Sequence, residues 1–433
     1  MTNTQSKYHE DNDEFYLLFL IYIKWKNPKN PEYIHSRYKK KYYRQLNKIQ
    51  KRIRCRVIPR VALTDPAMSA ICALLNSRND QAYITATGLD YTTFHELNSE
   101  FKELFDNYTP YNWRTKERMK ICKVRTKRGR PRKFTSEMAL ACVLYHTRSR
   151  GGMWSMQLPF GQTQTTMSVW VRFGRKILVH LLKKNPAAKL RHRTAEEWES
   201  YVQAVAAKHP KLGQLRVGCT IDGIKLHLEQ SPDYIIQEMF YNGWTTGHYV
   251  TNILVFGMDG TIIFAGINAP GSMHDSRVCD MCGIYDKLEE AFNEFGIRVT
   301  TDSAFNARRY PFLLKSGTST LGLSEWFKEL FDECTSMRQT AEWGMRAFRS
   351  SFPRICDKIR YEEGGARYEF ILLLILVYNY RANKVGINQI KTTYMSEFAQ
   401  GFFQADDEDI HLREAIRLRD AGETPPGRQN RRR

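Results

Sequence analysis

The sequence has no dense or regularly spaced set of cysteines. Its nine cysteines are odd in number and scattered along 433 residues, a pattern that favours free thiols in a reducing compartment over a disulfide framework. Cys279 and Cys282 form the only CxxC pair, and no second pair stands at the spacing of a zinc ribbon. The cysteines therefore give little support to a structural zinc site.

Long hydrophobic runs are also missing. The longest are FYLLFLIYI from Phe15 and FILLLILV from Phe370, and both are too short to cross a bilayer. The first follows Asp11, Asp13 and Glu14 instead of basic residues, which is not the pattern of a signal peptide. No glycine-rich phosphate-binding loop is present either. We expect a protein with neither a membrane span nor a nucleotide cofactor.

Acidic residues are the scarcer charge. There are 46 Asp and Glu against 66 Lys and Arg, which gives a formal net charge of +20. Nucleic acid is the commonest partner of such an excess, although a solvated basic surface without a partner has the same composition. With 42% hydrophobic residues, the chain can bury a substantial core in two or three domains.

The positive charge is concentrated in two segments. Between Lys24 and Arg60 there are fourteen Lys or Arg and one acidic residue, which fits a basic arm on DNA, an import signal or a solvated helix. A second segment, 114–133, has eleven Lys or Arg and one Glu, and ends in KRGRPRKF. This ending resembles an AT-hook, whose arginines enter the narrow minor groove of A·T-rich DNA; a plain basic linker stays open. The candidate DNA contacts at 128–133 are Arg128, Arg130, Arg132 and Lys133.

The next segment has the pattern of a helix-turn-helix, at about 136–182. We expect a helix over 136–146, a short one over 154–160, a turn at Gly161 and a longer helix over 163–182. The polar first turn of the last helix is then available to base edges; an ordinary three-helix scaffold is the alternative. The candidate base-reading residues are Gln162, Gln164, Thr165 and Ser168, and the candidate phosphate contacts are Arg172 and Arg175.

The second half of the chain alternates strands and helices. VGCTIDGIKLHL, 217–228, has alternating apolar residues and many β-branched ones, so it predicts a strand that carries Asp222. HYVTNILVFGMDGTIIFAGINAP predicts a hairpin of strands 248–257 and 261–268. A single helix is expected over 275–295, followed by a strand that ends at Asp302. This order predicts a mixed sheet in which the fourth strand runs parallel to the first.

Neighbouring first and fourth strands would bring Asp222 and Asp302 together. Two close carboxylates repel each other, and a divalent metal is the usual reason for keeping them close; isolated strand-end aspartates are otherwise turn or capping residues. Glu342 is a third candidate, with Arg338 and Arg346 one turn before and after it, where they could hold the carboxylate or touch phosphate. Its helix is expected to pack by a stripe of apolar residues: Met337, Ala341, Met345, Phe348 and Phe352.

Five spaced motifs resemble those of the PIF/Harbinger group of DDE transposases. In chain order they are IDG, FYNGWTTGHYVTNILVF, APGSMHDSRV, TDSAF and MRQTAEWGMRAFRSSFPRI. The resemblance spans roughly 60–400. It implies that Asp222, Asp302 and Glu342 are the catalytic and metal-binding triad, and that His274 and Asp275 are supporting residues.

The resemblance implies an α+β or α/β protein with an amino-terminal all-α helix-turn-helix region and an RNase H-like mixed-sheet catalytic domain. The expected organisation is a basic arm at 1–60, a helical DNA-binding region at 61–212, a nuclease domain at 213–400 and a flexible basic tail at 401–433. Asp222 would bridge two Mg²⁺ or Mn²⁺ ions, and Asp302 and Glu342 would each hold one. Oxygen ligands favour these metals over zinc.

The implied function is that of an endonuclease and strand transferase, which cuts double-stranded DNA at its element's terminal inverted repeats and joins the end to a target. The resemblance further implies a homo-oligomer on DNA, a Myb-like helper protein and, in a eukaryote, a nuclear location. Two alternatives stay open. One is a host-adopted nuclear DNA-binding protein that keeps the fold without using cleavage, and the other is a metal-dependent nuclease or phosphatase without transposition.

Overall fold

The fold comes from a computed structural model, which describes residues 58, 60–109, 122–123, 132, 134–316, 323–361 and 364–395. Several predictions lie outside the described residues: all of the basic arm except residues 58 and 60, the candidate contacts Arg128, Arg130 and Lys133, and the basic tail.

The described part of the first half is helical. Its helices are α1 (Ala70–Asn76), α2 (Asp80–Thr87), α3 (Tyr91–Asn107), α4 (Ser136–Arg148), α5 (Gln157–Phe160), α6 (Gln164–Leu182), α7 (Ala195–Ala206) and α8 (Pro210–Gln214), with 3-10 turns at Arg60–Ala62, Pro66–Met68 and Met153–Met156. Two short strands, β1 (Tyr108–Thr109) and β2 (Cys122–Lys123), pair antiparallel. Helices thus form where the helix-turn-helix pattern places them, with Gly161 in the left-handed region at φ 58° between α5 and α6. As a DNA-binding unit, the helix-turn-helix stays a prediction.

Capping residues and one close approach fix these helices. Asp90 accepts a hydrogen bond from a backbone N–H at the start of α3, and Thr135 does the same for α4. Helix α6 passes so close to α4 that a Cβ at Gly174 would lie 2.6 Å from the Val143 side chain. Glycine at this position therefore lets the two helices pack backbone against side chain.

A mixed sheet forms the centre of the second half. Its strands are β3 (Val217–His227), β4 (Tyr241–Asn242), β5 (Gly247–Gly257), β6 (Ile262–Pro270), β7 (Arg298–Thr301) and β8 (Leu313–Lys315). Their order is β4-β5-β3-β7-β8, and β6 also pairs with β5. Strands β3, β5 and β6 form an antiparallel meander, which confirms the predicted hairpin. Strand β7 runs parallel to β3, as the strand order predicted, and β8 adds a further parallel strand.

Helices pack around this sheet. They are α9 (Tyr234–Phe240), α10 (Asp275–Met281), α11 (Ile284–Phe295), α12 (Glu325–Ser351), α13 (Gly364–Lys384) and α14 (Gln389–Tyr394), with a 3-10 turn at Pro353–Cys356. The prediction of a single helix over 275–295 is wrong, because Gly283 has a left-handed φ of 64° and separates α10 from α11. The predicted apolar stripe is confirmed, since its four residues on α12 and Phe352, the residue after the helix, are all buried.

Helix α13 joins the two halves of the chain. It contains the apolar run from Phe370 and contacts both α6 and β6, so that this run is buried in the protein core. Among the described residues, no helix is both long enough and apolar enough to span a membrane.

Candidate functional site

Two of the predicted site carboxylates lie on neighbouring strands. Asp222 is in β3, and Asp302 is the first residue after β7. The parallel pairing of the two strands sets Thr220 opposite Thr300. Continuing this register by two residues brings Asp302 opposite Asp222, which is the approach that the sequence predicted.

The carboxyl group of Asp222 is in a strongly perturbed environment. It is half-buried and accepts a hydrogen bond from the Gly223 N–H at 2.7 Å. Burial raises its pKa to about 6, and the negative charges of Asp302 and Asp275 act in the same direction, against the Gly223 hydrogen bond and Arg338. A carboxylate that is desolvated beside like charges is stabilised by a cation.

Glu342 lies on α12 and is more exposed than the two aspartates. Its side chain is 53% exposed, and its Oε1 lies 3.7 Å from Nη2 of Arg338 in an ion pair across one helical turn. Of the two roles predicted for Arg338, the structure thus has the one in which it holds the glutamate. An exposed pair at this distance contributes little stability, so Glu342 can change partners easily.

Asp275, which was predicted as a supporting residue, lies directly beside Gly223. It is the first residue of α10, and a Cβ at Gly223 would lie 2.6 Å from its Oδ2. Burial and Asp302 raise the pKa of Asp275, while Lys225 and His274 act in the opposite direction. His274 itself is the N-cap residue of α10. Glycine at 223 is thus what allows the third aspartate to approach.

A cleft of about 580 Å³ opens beside these carboxylates. It contains Asp222 and Glu342, and the remainder of its lining comprises Arg150, Gly223, Met345, Arg346, Arg349, Ser350, Pro353 and Cys356. Of the three arginines in this lining, Arg346 was predicted from the sequence, whereas Arg349 and Arg150 were not. The spacing of Arg349 from Glu342, two helical turns, could have identified it. No local signal could have identified Arg150, which comes from the helical half.

The predicted DNA contacts of α6 differ in their availability. Thr165 and Arg172 are exposed, and Gln164 and Ser168 are half-buried. Gln162 is only 2% exposed and accepts a hydrogen bond from Arg60. Its burial does not fit a role in reading bases.

Two other predicted contacts are engaged inside the protein. Arg175 donates to Glu369 of α13 at 2.7 Å, in an ion pair with little exposure. The guanidinium of Arg132 donates to the carbonyl oxygens of Phe105 and Tyr108, and lies over the Phe105 ring at 4.6 Å. Arg132 therefore satisfies carbonyl groups at the end of α3, a structural role that differs from the predicted contact with DNA.

The donor set of the site fits a hard divalent cation in its chemistry. Carboxylate oxygens are the ligands that Mg²⁺ and Mn²⁺ prefer, and the mutual repulsion around Asp222 is what such an ion relieves. Among the described residues, however, no three His, Cys, Asp or Glu side chains are arranged so that they could hold a metal ion together. The Glu342 side chain would have to leave Arg338 to complete such a group.

Comparison with known proteins agrees with this geometry. Residues 221–376 match the model of the DDE superfamily endonuclease family, a segment that includes Asp222, Asp302 and Glu342. No curated protein and no solved structure matches the chain significantly. The family match supports a DDE-type transposase family for this chain, and its fold of helices with a mixed sheet is compatible with an α+β nuclease domain.

Proposed function

We propose that the protein is a DDE transposase that binds element-end DNA, cuts phosphodiester bonds there and joins the ends to a target. The observation that carries this proposal is the parallel pairing of β3 and β7, which sets Asp222 opposite Asp302 beside a cleft that also contains Glu342. The match to DDE superfamily endonucleases supports the nuclease activity. The five motifs and the strand order support the PIF/Harbinger group and an RNase H-like fold.

In this proposal Asp222, Asp302 and Glu342 hold two divalent metal ions, Mg²⁺ or Mn²⁺. When bound, such ions lower the pKa of the attacking water and stabilise the leaving oxygen. Arg338 holds Glu342 before metal binding and releases it at little cost, because their ion pair is long and exposed. Asp275 adds negative charge beside Asp222, which increases the affinity of the site for cations.

DNA recognition in this proposal belongs to the helical half. Thr165, Ser168 and Arg172 share one side of α6 at helical spacing and would contact the element ends. The basic segments would add salt-dependent affinity for flanking DNA. A homo-oligomer on DNA, a Myb-like helper and a nuclear location in a eukaryote are further parts of the proposal, which rest on the resemblance.

Strand cleavage of DNA that carries the sequences flanking the coding region tests the proposal. With Mg²⁺ or Mn²⁺, we expect nicking by the wild type and none by Asp222→Ala, Asp302→Ala or Glu342→Ala, since each removes an oxygen ligand. Glu294→Ala is the matched control, because Glu294 is an exposed carboxylate of α11 outside the cleft. Cutting that survives all three site substitutions would assign the activity to other residues.

A second candidate function is that of a host-adopted DNA-binding protein that retains the fold without cleavage. It requires the ion pair between Glu342 and Arg338 to persist with metal present, so that Glu342 does not bind the metal. The wild type would then bind DNA without nicking it. Calorimetry would detect no difference in Mg²⁺ or Mn²⁺ binding between the wild type and Asp222→Ala.

A further inference from the structure

The cleft beside the carboxylates has a basic side. Arg150, Arg346 and Arg349 line it, and each of them is exposed. Among the described residues, none of these three guanidinium groups forms an ion pair or a side-chain hydrogen bond. Like charges in one cleft repel each other, and an anion that binds there relieves the repulsion.

Two of these arginines share a helix face with the candidate catalytic glutamate. On α12, Arg346 follows Glu342 by four residues and Arg349 follows it by seven. All three side chains therefore project from the same side of the helix. Met345, between them in sequence, is buried and forms part of the cleft lining. The helix thus presents a carboxylate and two cations to the same cleft.

The third arginine comes from the helical half and is held in position by its neighbours. The Gly151 N–H, next to Arg150, donates to Oδ2 of Asp357 at 2.8 Å. Arg148 Nη1 donates to the carbonyl of Ser351, the last residue of α12, at 2.9 Å. Gly151 has a φ of 90°, a conformation that side-chain-bearing residues rarely adopt. The loop that carries Arg150 is therefore fixed against the end of α12.

We propose that Arg150, Arg346 and Arg349 bind the sugar-phosphate backbone of DNA beside the catalytic carboxylates, so that both halves of the chain hold one DNA segment at the cleft. This proposal rests on the proposed function and adds the residues that position its substrate. Arginine suits the task because its planar guanidinium donates two parallel hydrogen bonds to a phosphate. The carboxylates of the cleft repel the phosphates, so the backbone lies against the arginines until cations are bound.

Protection of Cys356 from alkylation provides a local test. Cys356 is an exposed free cysteine that lines the same cleft, and the half-buried Cys72 of α1 lies outside it and serves as internal reference. The full chain is treated with a maleimide in EDTA, with and without a short DNA duplex of arbitrary sequence, and each cysteine is quantified by mass spectrometry. Anisotropy with the same duplex, fluorescein-labelled, measures affinity in parallel.

We expect DNA to slow the alkylation of Cys356 but not of Cys72 in the wild type. Arg150→Gln, Arg346→Gln and Arg349→Gln should each reduce this protection, and the triple variant should lose it. Each substitution should also reduce the slope of log affinity against log salt by about 0.9. Lys102→Gln is the control for one lost charge, since Lys102 is exposed on α3 outside the cleft, and it should keep the protection.

Two results would overturn the proposal in different ways. Wild-type protein that binds the duplex while Cys356 reacts at an unchanged rate, or a triple variant that keeps full protection, would overturn the arginine site and leave the proposed function standing. Wild-type protein that binds no duplex at all would overturn both.

Discussion

Asp222 destabilises the folded protein when it is ionised, because its carboxylate is desolvated beside Asp302 and Asp275. Its pKa is raised from 3.8 to about 6, so the folded state holds the proton more tightly than the unfolded state does. The resulting stabilisation is fully present below pH 4 and is lost as the pH rises through 6. We expect Asp222→Asn, which stays neutral and keeps an acceptor for the Gly223 N–H, to raise the free energy of unfolding at pH 7 by about 3 kcal/mol.

Urea unfolding in EDTA between pH 4 and pH 8 measures this difference. The two proteins should be equally stable near pH 4, diverge between pH 4 and pH 6 and differ by a constant amount above pH 6, whereas Glu294→Gln, at an exposed carboxylate, should follow the wild type throughout. Equal stability of wild type and Asp222→Asn at pH 8 would show that the carboxylate is well solvated and that ionised Asp222 does not destabilise the site.

At the scale of single residues, the local sequence pattern predicted the positions that follow from strands and helices. It did not predict side-chain contacts with residues far away in the sequence. Asp222 and Asp302 were predicted to meet because strand order and parallel pairing follow from the alternation of elements. Arg175 was predicted to contact phosphate, but it pairs with Glu369, 194 positions further along the chain. Residue type gives the charge of a side chain and does not reveal which partner will neutralise it.

At the scale of elements, a buried side chain of α13 pairs with backbone groups of β6, as a neighbouring strand would otherwise do. Asn379 accepts a hydrogen bond from the Ile262 N–H at 2.8 Å, and its amide donates to the Ile262 carbonyl at 2.8 Å. It is 2% exposed, so removing the amide leaves buried backbone groups of β6 without partners. We expect Asn379→Ala to lower the free energy of unfolding by about 2–3 kcal/mol.

Asn383, one turn later on the same helix, provides the matched control. It is exposed, and its side chain donates one hydrogen bond within the described part of the chain, to the Ala187 carbonyl at 2.7 Å. Asn383→Ala should therefore cost less than about 1 kcal/mol, as water can replace the lost donor. Chemical denaturation of both variants measures the difference, and similar losses in the two would contradict the role given to Asn379.

Element boundaries show where sequence reasoning stops. The hairpin of β5 and β6 was predicted because Asp259-Gly260 is a strong turn signal between two β-rich runs. The break at Gly283 was missed because a lone glycine within a helical pattern is compatible with a continuing helix. Strand β8 was missed because Leu313–Lys315 has three residues and no alternation to detect. Its formation depends on pairing with β7, which is a tertiary contact.

At the scale of the whole molecule, the two halves meet next to the candidate site, and Asp357 fastens the junction by accepting the Gly151 N–H. Replacing Asp357 can change DNA affinity through two effects that have opposite signs. Removing an acidic charge beside a DNA cleft increases DNA affinity if only long-range electrostatics matter. If Asp357 instead positions the loop of Arg150, Asp357→Ala should weaken binding of the duplex, because the backbone next to Arg150 loses its hydrogen bond to Asp357.

Anisotropy on four proteins distinguishes these effects: wild type, Asp357→Ala, Arg150→Gln and the double variant. We expect Asp357→Ala to lower affinity and the double variant to bind no more weakly than Arg150→Gln alone, with a coupling free energy of about 1 kcal/mol. Glu294→Ala, which removes a distant exposed acid, should leave affinity unchanged or slightly raised. An increase in affinity for Asp357→Ala would mean that the electrostatic effect dominates and that the junction does not position Arg150.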